Sequence, residues 1–212
     1  MTNVLILGAS GQIAQWVIQE LAHDRHISQT LLLRNPRKLT GQEPANAKVV
    51  IGNVLDAKLL KSLMNGQDIV YANLSGDDLD KQAHAIITAM QAKGVRRLIF
   101  VLSLGIYDEV PGKFGEWNNA TIGDDLKPYR RAADLIETSG LAYTIVRPAW
   151  LTDEDEVSYE LTVKEEPFKG TVVSRKSVGD LITQIIQSPK RHVGESLGMS
   201  KPGSDGDKPY FM

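Results

Sequence analysis

Short apolar runs alternate along the chain with stretches in which apolar residues recur every three or four positions. Val4–Leu7 is an apolar run ending in Gly8-Ala9-Ser10-Gly11, after which Ile13, Trp16, Val17, Ile18 and Leu21 lie at helical spacing. The pattern predicts strand, glycine turn, helix. Thr30–Leu33 is a second run, closed by Arg34-Asn35-Pro36, where the proline ends regular pairing. Lys48–Ile51 is a third, and Asp56 then stands as N-cap of a helix through Leu59, Leu60 and Leu63, stopped at Asn65-Gly66. Asp68–Ala72 reads as a fourth strand leading into Leu74-Ser75-Gly76, followed by a helix over Asp80–Ala92 that Gly94 closes. Arg97–Leu102 is nearly continuous in apolar character, as a strand buried on both faces should be.

Residues 105–125, rich in glycine and charge and carrying Asn118-Asn119, predict a long loop. Pro128 fits the first turn of a helix running to Thr138, and Tyr143–Val146 is a sixth strand ended by Arg147-Pro148. Val157, Tyr159, Leu161 and Val163 alternate with polar residues, which predicts a half-exposed strand at an edge or in a small appended sheet. Ser177-Val178-Gly179-Asp180 resembles the opening of a last helix through Ile182, Ile185 and Ile186. Strands alternating with helices imply an α/β fold: a Rossmann-type, doubly wound parallel sheet with helices on both faces and a small C-terminal strand/helix extension. Ligands of such sheets bind outside the carboxyl ends of the strands, so Gly8–Gly11, Arg34–Lys38, Gly52–Val54, Leu74–Gly76, Ser103–Tyr107 and Arg147–Trp150 should share one surface.

The 212 residues suit one domain, expected over 1–199, with a Gly-, Pro- and charge-rich tail over 200–212 expected to be flexible. A formal charge of −2 with no basic block argues against nucleic acid as a partner. The absence of cysteine excludes disulfides, thiolate-bound metals and cysteine nucleophiles. No apolar run approaches the ~18 residues of a membrane span, and the expected location is cytoplasmic, as monomer or homodimer. His23 and His26 lie near a helix end, remote in sequence from His84 and His192 and without a carboxylate cluster, so no metal site is expected. The acidic run Asp153–Glu156 reads as a solvated loop.

The chemistry concentrates at the first turn. In Gly8-Ala9-Ser10-Gly11-Gln12-Ile13-Ala14 the glycines let backbone amides approach a pyrophosphate, and the helix N-terminus adds positive partial charge. Glycines serving turn geometry alone are the alternative. After the second strand, where an NAD-selective site usually has an acid for the ribose 2′-hydroxyl, stand Arg34, Arg37 and Lys38 with no carboxylate among them. That set favours a 2′-phosphate, hence NADP(H) over NAD(H).

GASGQIA, LLLRNPRKL, GNVLD, GQDIVYANLSG, SGLAYTIVRP and SRKSVGDLI, in this order, resemble the atypical short-chain dehydrogenases. Within them the resemblance is to the NAD(P)-binding, NmrA-like group that includes flavin reductases of the biliverdin-IXβ type, and it runs over roughly residues 2–187. It implies that Ser10, Gly11, Gln12 and Ile13 meet the pyrophosphate and that Arg34, with Arg37 or Lys38, meets the adenosine phosphate. It further implies that Asn53 and Val54 flank the adenine; Asp is frequent at the Asn53 position among relatives, and Asn is expected to offer its carbonyl to the adenine amino group. Leu74, Ser75 and Gly76 would line the middle of the cofactor, Ser103 would lie near the nicotinamide, and Pro148 and Ala149 would form the far wall.

Many short-chain dehydrogenases use Tyr-x-x-x-Lys, in which the lysine lowers the tyrosine pKa for proton exchange with a carbonyl. Here the placed candidate is Tyr129, with Ala133 at the lysine position and Arg130 and Arg131 on other faces of the helix. Tyr107, four residues after Ser103, is placed either to donate to a substrate carbonyl or to pack. Phe114, Trp117 and Trp150 are candidates for an apolar lid over a planar substrate. These residues point to an NADPH-dependent reductase of a small planar acceptor such as a flavin or quinone, working by hydride transfer, with Ser103, Tyr107 and Tyr129 as candidate catalytic residues. The alternative is a non-catalytic NAD(P)-binding redox sensor of the NmrA-like type. Sugar-nucleotide epimerisation is disfavoured by the missing lysine and by the lack of a large C-terminal substrate domain.

Overall fold

The computed structural model describes residues 1–39 and 43–212. Among these residues the strands are β1 (Thr2–Leu7), β2 (Ile27–Leu33), β3 (Ala47–Ile51), β4 (Ile69–Ala72), β5 (Arg97–Val101), β6 (Ala142–Pro148), β7 (Trp150–Thr152), β8 (Glu160–Thr162), β9 (Val172–Ser174) and β10 (Glu195–Ser200). The helices are α1 (Gln12–Leu21), α2 (Ala57–Leu63), α3 (Leu79–Lys93), α4 (Gly112–Ile122), α5 (Leu126–Glu137) and α6 (Arg175–Gln187). The main sheet has the order β3-β2-β1-β4-β5-β6-β10-β8, parallel throughout except for β8, which runs antiparallel to β10 at the edge. This is the doubly wound Rossmann-type sheet, and its strand order reverses between β1 and β4.

Each central strand is buried on both faces, which explains its unbroken apolar run. Val4 and Ile6 of β1, Ile69 and Tyr71 of β4 and Ile99 and Val101 of β5 join the core beneath α1 and α6. Leu5 and Leu7, Val70 and Ala72, and Leu98 and Phe100 join the opposite core beneath α2, α3 and α5. Asp56 caps α2 by accepting from the Lys58 and Leu59 amides, and Gly94 ends α3 in the left-handed conformation with φ 72°.

Several elements differ from the sequence expectation. The segment 105–125 is not a loop throughout, because it contains α4. This helix buries only Phe114 and Asn118 and contains two glycines, so its apolar periodicity is weak. Gly115 is required there, since a Cβ would lie 2.0 Å from the Val110 carbonyl oxygen. The strand expected over 157–163 shrinks to β8. Its partner β10, unassigned from sequence, alternates Leu197 and Met199 with small residues because Gly198 packs under Thr162 and the Phe168 ring. The last helix starts earlier than expected: Ser174, not Ser177, is its cap, with Oγ accepting the Ser177 amide at 3.0 Å. Trp150–Thr152 and Val172–Ser174 form a small parallel pair beyond β6.

The tail past β10, expected to be flexible, makes specific contacts. Thr171 Oγ1 donates to the Ser204 carbonyl at 2.6 Å, Lys201 pairs with Glu154 and Glu156, and the Tyr210 hydroxyl donates to Glu154. Lys201 and Tyr210 together hold the Glu154 carboxyl down at about 2. Among the described residues no helix is long and apolar enough to cross a membrane.

The orientation of α1, whose N-terminus opens on the glycine turn, is set by its contact with α6. Gly179 permits that contact, because a Cβ there would lie 2.7 Å from the Trp16 Cβ. Replacing Gly179 with Leu is expected to cost about 2 kcal/mol in urea unfolding, despite leucine's better helix propensity. An unchanged midpoint would contradict the close packing of α1 on α6.

Candidate functional site

At the carboxyl ends of β1, β2, β3 and β4 lies a cleft of about 520 Å³ lined by Gly8, Ser10, Gly11, Arg34, Lys38, Gly52, Asn53, Val54, Leu55, Asn73, Leu74, Ser75, Gly76, Asp78 and Gln82, floored by Leu32 and Leu33. It occupies the switch point, where the loops after β1 and β4 diverge to opposite sides. The structure thus brings together most residues singled out from sequence: the glycine turn, two of the three cations, Asn53 with Val54, and Leu74 to Gly76. Asn73, Asp78 and Gln82 are additions.

The glycine turn is shaped by what it touches. Gly8 has φ +77°, and a Cβ there would lie 2.1 Å from the Asn73 backbone oxygen. At Gly11 a Cβ would lie 2.0 Å from the Asn73 side-chain nitrogen. The glycines are therefore required by the close approach of the turn to the end of β4, whatever binds above them. Gly11 itself is the N-cap of α1 and supplies no side chain, so the first-turn amides, those of Gln12 and Ile13 among them, have no capping group. Uncapped amides behind a glycine turn suit an anion, and the cleft has room for one.

Arg34 and Lys38 reach the cleft from the end of β2. The turn between them is a 3₁₀ turn over Pro36–Lys38, fixed by Asn35 Oδ1 accepting the Arg37 amide at 3.1 Å. Arg34, Arg37 and Lys38 are exposed and have no ion-pair partner among the described residues, as is true of other exposed cations such as Lys58 and Lys61, while Arg131 is paired with Asp80 and Lys164 with Glu137. Arg37 is not part of the cleft wall. Across the cleft, Gln82 Nε2 donates to Asp78 Oδ1 at 2.7 Å and to the Ser75 carbonyl at 3.2 Å, bracing the loop after β4. The donor set and the glycine cradle fit the phosphates of a dinucleotide.

Ser103 and Pro148 stand further along the same edge of the sheet, outside the cleft wall. Ser103 is held between Leu102, whose amide donates to the Val146 carbonyl at 2.8 Å, and Leu104, whose amide donates to the Pro148 carbonyl at 3.2 Å. Its half-buried hydroxyl has no hydrogen bond among the described residues. A buried ion pair fixes this second half of the site. Arg147, fully buried, pairs with Glu109, whose carboxylate also accepts the Gly105 amide at 3.0 Å and the Tyr107 amide at 2.9 Å. An arginine inside an apolar strand was the sequence signal for such a partner, since a buried guanidinium needs one.

The two tyrosines have different surroundings. The Tyr107 hydroxyl donates to Glu137 Oε1 at 2.7 Å and lies 3.2 Å from Ser196 Oγ, while Lys164, Arg147 and Arg130 sit 4.4, 5.0 and 5.3 Å from its ring centre. It lines no part of the cleft. Tyr129 does approach it, with its hydroxyl against the Gly76 backbone amide. Burial is the main cause that raises the pKa of both tyrosines, the opposite of the activation a neighbouring lysine gives. Ala133 is fully buried, Arg130 is bound to Asp134 and Arg131 to Asp80. The aromatic residues considered as a lid stack on one another: Phe114 and Trp117 at 6.1 Å, Trp117 and Trp150 at 4.9 Å, with Trp150 Nε1 donating to Asn118 at 2.9 Å. Among the described residues no group of three or more His, Asp or Glu is arranged for a metal.

Sheet order, switch-point cleft and glycine turn define a Rossmann-type nucleotide-binding protein. The chain belongs to the NAD(P)H-binding family, whose model matches residues 8–189. It is 30% identical over 192 residues to the uncharacterized sugar epimerase YhfK of Bacillus subtilis, covering 83% of this chain and 79% of that protein. A Rossmann-fold NAD(P)-binding family protein from Shigella flexneri is 57% identical, with full coverage of both chains and a TM-score of 0.88. A short-chain dehydrogenase/reductase from Veillonella parvula, solved in complex with NADP, is 26% identical over 99% of each chain, with a TM-score of 0.89.

Gly11→Ala is expected to cost roughly 1–3 kcal/mol of unfolding free energy through its clash with the Asn73 amide. Adding Asn73→Ala should recover most of that loss, whereas Gly8→Ala, which meets the Asn73 backbone, should not be rescued. Equal rescue of both in urea unfolding would contradict the packing described.

Proposed function

We propose that the protein is an NADPH-dependent reductase of a small planar acceptor, a flavin, quinone or similar conjugated compound. The observation that carries the cofactor choice is the pair of cations, Arg34 and Lys38, that line the cleft without an ion-pair partner among the described residues. A dianionic 2′-phosphate satisfies them, and Arg34 offers the fork geometry that holds it. The Veillonella relative, solved with NADP, supports the same choice.

In this reading the backbone amides at Ser10, Gln12 and Ile13 hold the pyrophosphate against the positive end of α1, and Gly11, whose amide closes the turn on the Gly8 carbonyl at 2.9 Å, lets the phosphates come close. Asn53 and Val54 flank the adenine, Leu74, Ser75 and Gly76 line the middle, and Arg37 adds to the basic field from outside the wall. When bound, the dihydronicotinamide supplies a hydride to the acceptor, with the accompanying proton drawn from water. The Ser103 hydroxyl orients the reacting partners, and Pro148 closes the wall behind them. Tyr107, committed to Glu137, is assigned a packing role rather than a catalytic one.

Epimerisation, the activity in the name of the Bacillus relative, fits less well. Its usual proton carrier is a tyrosine with a lowered pKa, and Tyr129 is shifted the other way with alanine in place of lysine. The same feature favours a second reading, a cofactor-binding redox sensor without turnover. Steady-state NADPH oxidation with a panel of flavins, quinones and azo dyes separates the two, and no turnover across the panel would favour the sensor.

Arg34→Ala is expected to weaken NADPH binding by about tenfold or more while leaving NADH within twofold, because only the 2′-phosphate contact is lost. Equal losses for both nucleotides would contradict the assignment. Tyr129→Phe should leave turnover within about threefold of the parent, where loss of a general acid would cost roughly a hundredfold or more.

A further inference from the structure

We infer that Asp78 and Gln82, on the β4 side of the cleft, form a pair of hydrogen-bond acceptors for the vicinal hydroxyls of a ribose, the one ribose of NADPH that carries no 2′-phosphate. The inference rests on the cleft being the NADPH site. Its two sides differ in charge. Arg34 and Lys38 follow β2, Asp78 and Gln82 follow β4, and β2 and β4 flank β1 on opposite sides. A carboxylate in a cleft suited to phosphates opposes its ligand unless it accepts hydrogen bonds from it. Gln82 is only 8% exposed, and its Nε2 donates to Asp78 Oδ1 at 2.7 Å and to the Ser75 carbonyl at 3.2 Å. Both partners are pure acceptors, which fixes the amide with its nitrogen on them. Gln82 Oε1 and Asp78 Oδ2 have no partner among the described residues, and neither atom is sealed from solvent.

The charges set the order in which a dinucleotide lies across the switch point. A 2′-phosphate drawn to Arg34 and Lys38 puts the phosphorylated ribose on the β2 side. The pyrophosphate then lies over the glycine turn after β1, and the second ribose reaches the β4 side. The phosphorylated ribose has one hydroxyl left, and Asp78 would repel its phosphate; the second ribose keeps both hydroxyls on neighbouring carbons. Two neighbouring donors match two neighbouring acceptors, whose side chains are joined by the bond from Gln82 Nε2 to Asp78 Oδ1. A hydroxyl held by a carboxylate makes the stronger, charge-assisted kind of hydrogen bond. Asp78 stands at the N-cap position of α3 without making a side-chain cap bond, so its carboxylate is not committed to the helix.

The test is calorimetric titration of the parent and of Asp78→Ala with NADPH and with adenosine 2′,5′-bisphosphate, the phosphorylated half of the nucleotide, which has no vicinal diol. Alanine removes the carboxylate without taking a cap bond from α3, and thermal unfolding verifies that the variant is folded. Both ligands are polyanions, so relief of repulsion acts on both and cancels in their ratio. The advantage of NADPH over the bisphosphate is expected to fall about tenfold in Asp78→Ala. An unchanged ratio would overturn the inference and leave the carboxylate an unengaged part of the wall. NADPH with an acetyl group in place of the nicotinamide carboxamide keeps both riboses, and its affinity is expected to fall by the same factor as that of NADPH. If Asp78→Ala left the affinity of that analogue unmoved, the carboxylate would belong to the carboxamide, and the diol assignment would be overturned. Failure of the parent to bind either NADPH or the bisphosphate would instead sink the cofactor reading, and this inference with it.

Discussion

Where β1 and β4 lie side by side at the centre of the sheet, the turn after β1 presses on Asn73 so closely that neither Gly8 nor Gly11 has room for a methyl group. Much else follows from that contact. It draws the turn against the end of β4, where Gly11 starts α1 with no side-chain cap on its first amides. It also spaces the loops after β1 and β4 so that the crevice between them stays open. The contact depends in turn on α1 being held from behind, which the α6 helix does through the absence of a side chain at Gly179.

The other half of the site is fixed by a charge rather than by close packing. Arg147 and Glu109 are both withdrawn from water, and the carboxylate organises the chain after β5 through the Gly105 and Tyr107 amides. An ion pair of this kind contributes little net stability, yet removal of one member strands the other at a cost of about 3–5 kcal/mol. Its value here is positional: it ties the segment carrying Ser103 to the end of β6 at Pro148. The cleft for the nucleotide and the edge where Ser103 stands are thus secured by two independent devices.

Much of this was legible in the sequence, for identifiable reasons. Strands buried on both faces must be nearly apolar throughout, so β1, β4 and β5 declare themselves, as does the apolar end of β2 at Thr30–Leu33, and the glycine turn and the basic set Arg34, Arg37 and Lys38 are each local in sequence. What the sequence concealed depends on partners remote along the chain. Tyr107 reads from sequence either as a donor to a substrate or as a packing residue, and its neighbours Glu137 and Ser196, which meet its hydroxyl, lie 30 and 89 residues away. Asn73 carries no local signal, because its role is to meet a turn more than sixty residues earlier. The α4 helix was hidden because the Phe114–Trp117–Trp150 stack holds it, despite glycines that usually mark a loop. Likewise β10 owes its small residues to the ring of Phe168, which nothing near Gly198 announces.

We propose that Arg34 and Lys38 at the end of β2, which have no ion-pair partner among the described residues, make this an NADP(H) site. Calorimetric titration of the unmodified protein with NADPH and, separately, with NADH tests it most directly. The account predicts that NADPH binds at least about tenfold more tightly than NADH, the difference arising from the 2′-phosphate against Arg34 and Lys38. Equal affinities, or tighter binding of NADH, would contradict it.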